Sequence, residues 1–329
     1  MENLVISNGM AGLVSARWLT ARGIDFSAFD AASTPGQGDP AFAWRFRENS
    51  IDIIASLFEE AGEWTSAGAL LHHKPKNAWI PYEGDIETQM KPFVAGAFRI
   101  PCQSVANFIE PISKAMGEKF SCNRFPIAID VNEKTVSMND GTTVTYERLI
   151  WAAPLSKLKG ILSPSWKTQL GRVGKIPGPT SIVGFEWATD VRPFAEEVTV
   201  VAPFRFKDDK LKAYGIFNQK TVDAESGSFV TNWLTIAPPK VAANNEEVAK
   251  CVKSMRREVL KEFPEVEGHI KHEKILHYEC FIPDKPIIVE SLEVLPSVFY
   301  VGPEMTTNED NASLWGPEAT VLNLKKVFH

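Results

Sequence analysis

The sequence predicts an α/β fold in which a parallel sheet begun by a β-α-β unit is joined by a second, antiparallel sheet. Three observations carry this. An apolar run (residues 3–6, NLVI) leads into a glycine-containing turn and a helical pattern, and a second apolar run follows at 24–30 (IDFSAFD). The stretch LIWAA (149–153) is apolar on both faces, as a strand inside a parallel sheet must be. Several alternating runs between 180 and 236 are separated by Asp, Gly, Pro and Lys turns, which is the pattern of an antiparallel sheet.

The first helix is read from Ala11, Val14, Trp18 and Ala21 on one face, with Gly23 as its C-cap. Two parallel strands flanking one helix require a right-handed crossover, so helices should cover the sheet. Residues 31–40 are rich in Ser, Pro, Gly and Asp and are read as loop. Helices are expected at 50–62 and 103–116, the second kinked or interrupted at Pro111, with an irregular Trp- and Pro-rich stretch at 74–101 between them. The runs 125–131, 135–138 and 143–154 have turn signals NEK and NDGT between them and predict antiparallel hairpins, the last rejoining the parallel sheet.

The clearest helix is 245–263. Val248, Cys251, Val252, Met255, Val259, Leu260 and Phe263 form one stripe, Asn244 and Glu247 have capping-box spacing, and Pro264 ends it. Its Lys253, Arg256, Arg257 and Lys261 form a solvated face. A strand at 297–302 and a final helix begun by Gly316-Pro317-Glu318 complete the chain.

At 329 residues the chain is long enough for two domains, and 44% apolar with 23% charged residues is ordinary for a folded globular protein. A net charge of −6 gives no footprint for nucleic acid or an anionic membrane, so the expected partner is a small-molecule substrate. The oligomeric state is not readable from the sequence. Cys102, Cys122, Cys251 and Cys280 are widely spaced and read as free thiols. Glu2 stands where a signal peptide carries basic residues, and no run approaches the roughly 20 apolar residues of a membrane helix, so a cytoplasmic location is expected. His269/His272 and the adjacent His72-His73 lack a third ligand at metal spacing, so no metal is expected. No G-x-S-x-G occurs.

The chemistry-bearing segment is VISNGMAG, residues 5–12. A strand, G-x-G-x-x-G and a helix form a cradle for a dinucleotide pyrophosphate. The first glycine permits the tight turn, the second admits the phosphates, and the third lets the helix lie close to the sheet. Here those positions are Ser7, Gly9 and Gly12. Gly9, Met10, Ala11 and Gly12 would present the helix N-terminus to the diphosphate, and the Ser7 hydroxyl is a candidate donor to a phosphate oxygen. Asp30, 18 residues after Gly12, is placed to accept from a ribose hydroxyl, with Ala31 beside it.

Three segments resemble the FAD-dependent amine oxidase superfamily, which includes monoamine oxidases, protoporphyrinogen oxidases and phytoene desaturases and, more distantly, UDP-galactopyranose mutase. These are the cradle with its following acid; YERLIWAAPLSKLKGIL (146–162), with Ala152 and Ala153 before Pro154; and VFYVGPEMTTNEDNASLWGPEATVLNLKKVF (298–328). The resemblance implies a Rossmann-like FAD-binding domain with a parallel sheet, made of residues 1–70, 101–165 and 286–329, and an inserted antiparallel-sheet substrate domain, made of 71–100 and 166–285. It implies FAD as cofactor, held also by Gly38, Phe125, Pro126, Gly302, Glu304, Asn311, Ala312 and Ser313, with Tyr82, Tyr278 and Cys280 as substrate-side candidates. Glu304 stands one place later than the usual acid, and Gly36-Gln37-Gly38 replaces the usual Gly-Gly-Arg. Of the aromatics Phe185, Trp187, Phe204, Phe206, Tyr214, Phe217, Phe229 and Trp233, most are expected in sheet core and the rest over a flavin. The implied activity is hydride transfer from an amine or an unsaturated or ring compound to the flavin, with no catalytic residue assignable. The alternatives are a non-redox isomerase similar to the mutase, with Arg192 and Arg205 as diphosphate candidates, and a non-catalytic binding protein.

Overall fold

A computed structural model describes residues 3–36, 46–47, 57–58, 64–67, 69–73, 78–81, 98–101, 105–176, 180–193, 199–201, 214–223, 228–237, 241, 243–280, 286–307 and 317–329. The chain divides into two compact units: residues 1–62, 105–178 and 281–329 form the first, and 63–104 and 179–280 the second.

In the first unit the labelled elements, in chain order, are β1 (Asn3–Ser7), α1 (Met10–Ala21), β2 (Phe26–Asp30), α2 (Val105–Met116), β3 (Arg148–Ala152), α3 (Leu155–Ile161), β4 (Val298–Tyr300) and α4 (Pro317–Val327). The six-stranded sheet has the order Glu293–Leu295, β4, β3, β1, β2, Phe120–Ser121. All its pairings are parallel except that of Glu293–Leu295 with β4. As LIWAA predicts, β3 lies inside this sheet, with Leu149, Ile150 and Trp151 buried.

Strand alternation divides the core. Leu4, Ile6, Leu149, Trp151, Val298 and Tyr300 pack with Leu155 and Leu158 of α3 and with the hairpin residues Ile129, Val136 and Met138. On α1, Leu13, Val14, Ala16, Trp18 and Leu19 are buried, and Gly23 ends the helix at φ 64° with its amide on the Thr20 carbonyl. The expected meander is an antiparallel sheet of Pro126–Asp130, Thr135–Met138 and Thr143–Thr145.

In the second unit Thr180–Thr189, Tyr214–Asp223, Ser228–Ala237 and Ile270–Cys280 form a four-stranded antiparallel sheet. The helix Asn245–Glu262 lays its stripe on Val183, Phe185, Trp187 and Trp233 of that sheet. The Asn244 side chain accepts from the Glu246 and Glu247 amides, which satisfies two otherwise unpaired donors of the first turn. Phe185, Trp187 and Trp233 are thus core, in tilted and edge-on contact with ring centroids 4.7 and 6.4 Å apart.

Four expectations change. Pro111 does not interrupt α2, which runs from Val105 to Met116: the buried Ile109, Ile112 and Met116 anchor both sides of the proline. Residues 166–178 belong to the first unit, because Trp166, Leu170, Val173 and Ile176 pack on its core, and 63–70 belong to the second. Thr199–Val201 leaves the antiparallel series and pairs in parallel with Ala69–His73. The stretch 74–101 contains strands at Ala78–Pro81 and Phe98–Pro101. Of the helix expected at 50–62, only Leu57 and Phe58 are among the described residues; both are buried. No helix of the described residues is long and apolar enough to cross a membrane.

Candidate dinucleotide site

The cradle forms at the carboxyl ends of β1 and β2, where ligands bind in open α/β sheets. Gly9 has φ 105° and ψ −144°, a backbone conformation that a residue with a Cβ adopts only under strain. It is also the N-cap of α1. Having no side chain, it cannot cap the helix, and α1 has no acid in its first turn. The positive end of the helix dipole therefore has no side-chain acid from α1 itself. Met10 and Gly12 are buried and Ala11 is partly exposed.

Ser7 does not face a phosphate. It is 2% exposed, and its hydroxyl donates to Asp30 Oδ2 at 2.5 Å, the distance of a charge-assisted hydrogen bond. It lies under α1: a Cβ on Gly12 would run into Ser7 Oγ and Cβ. The third glycine of the motif is thus required by the side chain that replaces the first.

Asp30 is fully buried. Besides Ser7, the Gly9 amide donates to Oδ2 at 3.4 Å and the Ala32 amide to Oδ1 at 2.8 Å, and the Gly36 amide also reaches the carboxylate. Burial raises the Asp30 pKa above the ordinary carboxylate value, against the opposing pull of these donors. Instead of standing open to a ribose, as the sequence predicts, Asp30 ties the β1 turn to the loop after β2. Ala31 is exposed beside it.

Phe125 is 44% exposed, and both its backbone groups pair with Asn139, through Oδ1 and the amide, each at 2.9 Å. Pro126 has no N–H. The Phe125 ring is therefore left exposed, and the backbone offers no free donor there. Arg124 places its guanidinium 4.2 Å from the centre of the Phe29 ring and pairs with Asp140 at 2.8 Å.

The other predicted residues of this unit converge at the ends of β3 and β4. Ala152 and Ala153 are buried there, and the Leu155 amide, first in α3, donates to Glu304 Oε2 at 2.7 Å. The Tyr300 hydroxyl donates to the same oxygen at 2.9 Å and accepts from the Glu304 amide at 3.1 Å. Gly302 leaves room for this pair, since a Cβ would strike the Tyr300 hydroxyl. Asn323 of α4 donates to the Gly302 and Met305 carbonyls, each at 3.0 Å. Glu304 is fully buried and its Oε1 has no partner; burial pushes its pKa up to about 7.

Leu155, Tyr300 and Asn323 are the members that sequence reasoning does not supply. Tyr300, two residues before Gly302, is the one with a local signal, since alternation puts its ring inward. Gly38, Asn311, Ala312, Ser313 and Tyr82 lie outside the described residues. Tyr278 and Cys280 sit on the strand Ile270–Cys280, opposite Ile182 and Thr180, in the second unit. Among the described residues no group of three His, Cys, Asp or Glu could hold a metal ion.

A dinucleotide fits this arrangement at its diphosphate, where a glycine that has no side chain precedes an uncapped helix. The ribose acceptor is already engaged.

No family model and no curated protein sequence matches the chain. Solved structures do. An oxidoreductase from Methanosarcina mazei is 12% identical with a TM-score of 0.70, the match covering all of both chains. Cyclohexylamine oxidase from Brevibacterium oxydans is 11% identical with a TM-score of 0.63, covering 99% of this chain and 98% of the oxidase. Reduced UDP-galactopyranose mutase is 12% identical with a TM-score of 0.63, covering all of this chain and 95% of the mutase. With its parallel sheet and its separate antiparallel sheet, the chain shares the fold of these oxidoreductase, amine oxidase and mutase structures.

Proposed function

We propose that this protein is a FAD-dependent oxidoreductase acting on a small organic substrate, an amine or an unsaturated or ring compound. The observation that carries this reading is Gly9: a glycine-only backbone at the start of a helix with neither a capping side chain nor a first-turn acid, set at the carboxyl end of a parallel sheet. The fold of the neighbours, two of which are named as oxidoreductase and amine oxidase, supports it. When bound, the flavin would accept the hydride from the substrate carbon, so the protein need supply only binding and orientation. In this reading α1 holds the diphosphate, and Gly302 and the Asn323-bound turn support the flavin end.

The test is spectroscopic. Purified protein, as isolated or after incubation with FAD and gel filtration, should retain a stoichiometric flavin spectrum, and a panel of amines under anaerobic conditions should bleach it. Protein that stays colourless after reconstitution refutes the reading.

A further inference from the structure

We propose that Ser7 makes the cradle blind to the ribose diol: its hydroxyl takes the place on Asp30 that a ribose hydroxyl would occupy, so this chain holds an adenine nucleotide without reading its sugar. The inference rests on the nucleotide-binding reading above and concerns how that site discriminates.

A carboxylate has about four lone-pair positions. Asp30 already faces four protein donors, the Ser7 hydroxyl and the amides of Gly9, Ala32 and Gly36. The Ser7 bond is the shortest of those measured, at 2.5 Å, and it is an O–H···O⁻ contact, chemically the one a sugar hydroxyl would make. It is also intramolecular. Ser7 is held under α1 by Gly12 and is buried, so its hydroxyl pays no association entropy, whereas a nucleotide would have to displace it. The hydroxyl's other neighbour, the Gly9 carbonyl, is 3.4 Å away and does not compete. With Ser7 in place Asp30 has no exposed surface. A glycine at position 7 would remove both the donor and the atoms that fill this space.

The experiment compares ADP with 2′,3′-dideoxy-ADP by isothermal titration calorimetry, using full-length wild type, Ser7→Ala and Ser7→Gly. Ser7→Ala keeps the Cβ and so preserves the packing against Gly12; thermal melts check that each variant folds. Wild type should bind the two nucleotides within about threefold of each other. In both Ser7 variants ADP should gain about tenfold over the dideoxy form, because the place on Asp30 that the Ser7 hydroxyl held becomes available to a sugar hydroxyl. The proposal is overturned if wild type already prefers ADP by tenfold or more, or if folded Ser7 variants show no new preference; in both cases the nucleotide-binding reading stands. Absence of ADP binding in every form defeats that reading and the proposal with it.

Discussion

Glu304 should make the first unit less stable as the solution becomes more alkaline. Its carboxyl is fully buried, accepts only through Oε2, and has its pKa raised from 4.5 to about 7. A carboxyl whose folded pKa lies above its unfolded value stabilises the fold in its protonated form. That contribution is complete below about pH 4.5 and is lost as the pH rises through about 7. At 1.36 kcal/mol per pKa unit the contribution is about 3 kcal/mol. Glu304→Gln keeps an oxygen for the Leu155 amide and the Tyr300 hydroxyl but cannot ionise. Urea unfolding at pH 5, 6, 7 and 8, followed by fluorescence and compared between wild type and Glu304→Gln, isolates the effect because other titrations cancel. Wild type should lose about 2.5 kcal/mol relative to the variant across this range. Tyr300→Phe, which removes a donor that lowers the Glu304 pKa, should move the loss to higher pH. A wild-type minus variant difference that is constant with pH, or that favours wild type as the pH rises, would refute the argument.

Two further outcomes follow from the same geometry. Gly12→Ala should destabilise the fold by about 1–3 kcal/mol through overpacking against Ser7, seen as a lower melting temperature, and adding Ser7→Gly should recover part of the loss. Asn323→Ala leaves the Gly302 and Met305 carbonyls without their side-chain donor and should cost about 1–3 kcal/mol, with faster amide exchange confined to residues 301–305.

The β-α-β unit was readable because its signals are local: apolar runs in β1 and β2, a helical stripe on α1, and glycines at both of its ends. The hairpin meander was readable for the same reason, its turns closing at Lys134 and Gly141 with positive φ. What the sequence hides are contacts between distant residues. Ser7 meets Asp30 across 23 positions, and Leu155 meets Glu304 across 149, so neither pairing leaves a periodic trace. Pro111 shows a different limit: the rule that proline breaks helices describes backbone energy alone, and buried side chains on both flanks outweigh it. The domain boundary near 166 moved because Trp166 and Leu170, placed by the resemblance in the substrate domain, carry apolar surface that the first core covers.

The glycines of the two motifs do not all report the same thing. Gly12 is needed because Ser7 lies beneath it, and Gly302 because the Tyr300 hydroxyl stands where its Cβ would be. Either could be kept for packing alone in a chain that binds nothing. Both acids also turn inward, Asp30 to Ser7 and the turn amides, Glu304 to Tyr300 and α3. Gly9 differs. Its helix begins at φ 105° on a residue that cannot cap it, whereas Asn or Ser at a helix N-cap contributes about 1 kcal/mol. The second unit shows the alternative, with Asn244 capping its long helix in the usual way. Forgoing that stabilisation at α1 makes physical sense if an anion from outside the chain completes the helix, which is why the nucleotide reading rests on Gly9 and not on the motif as a whole.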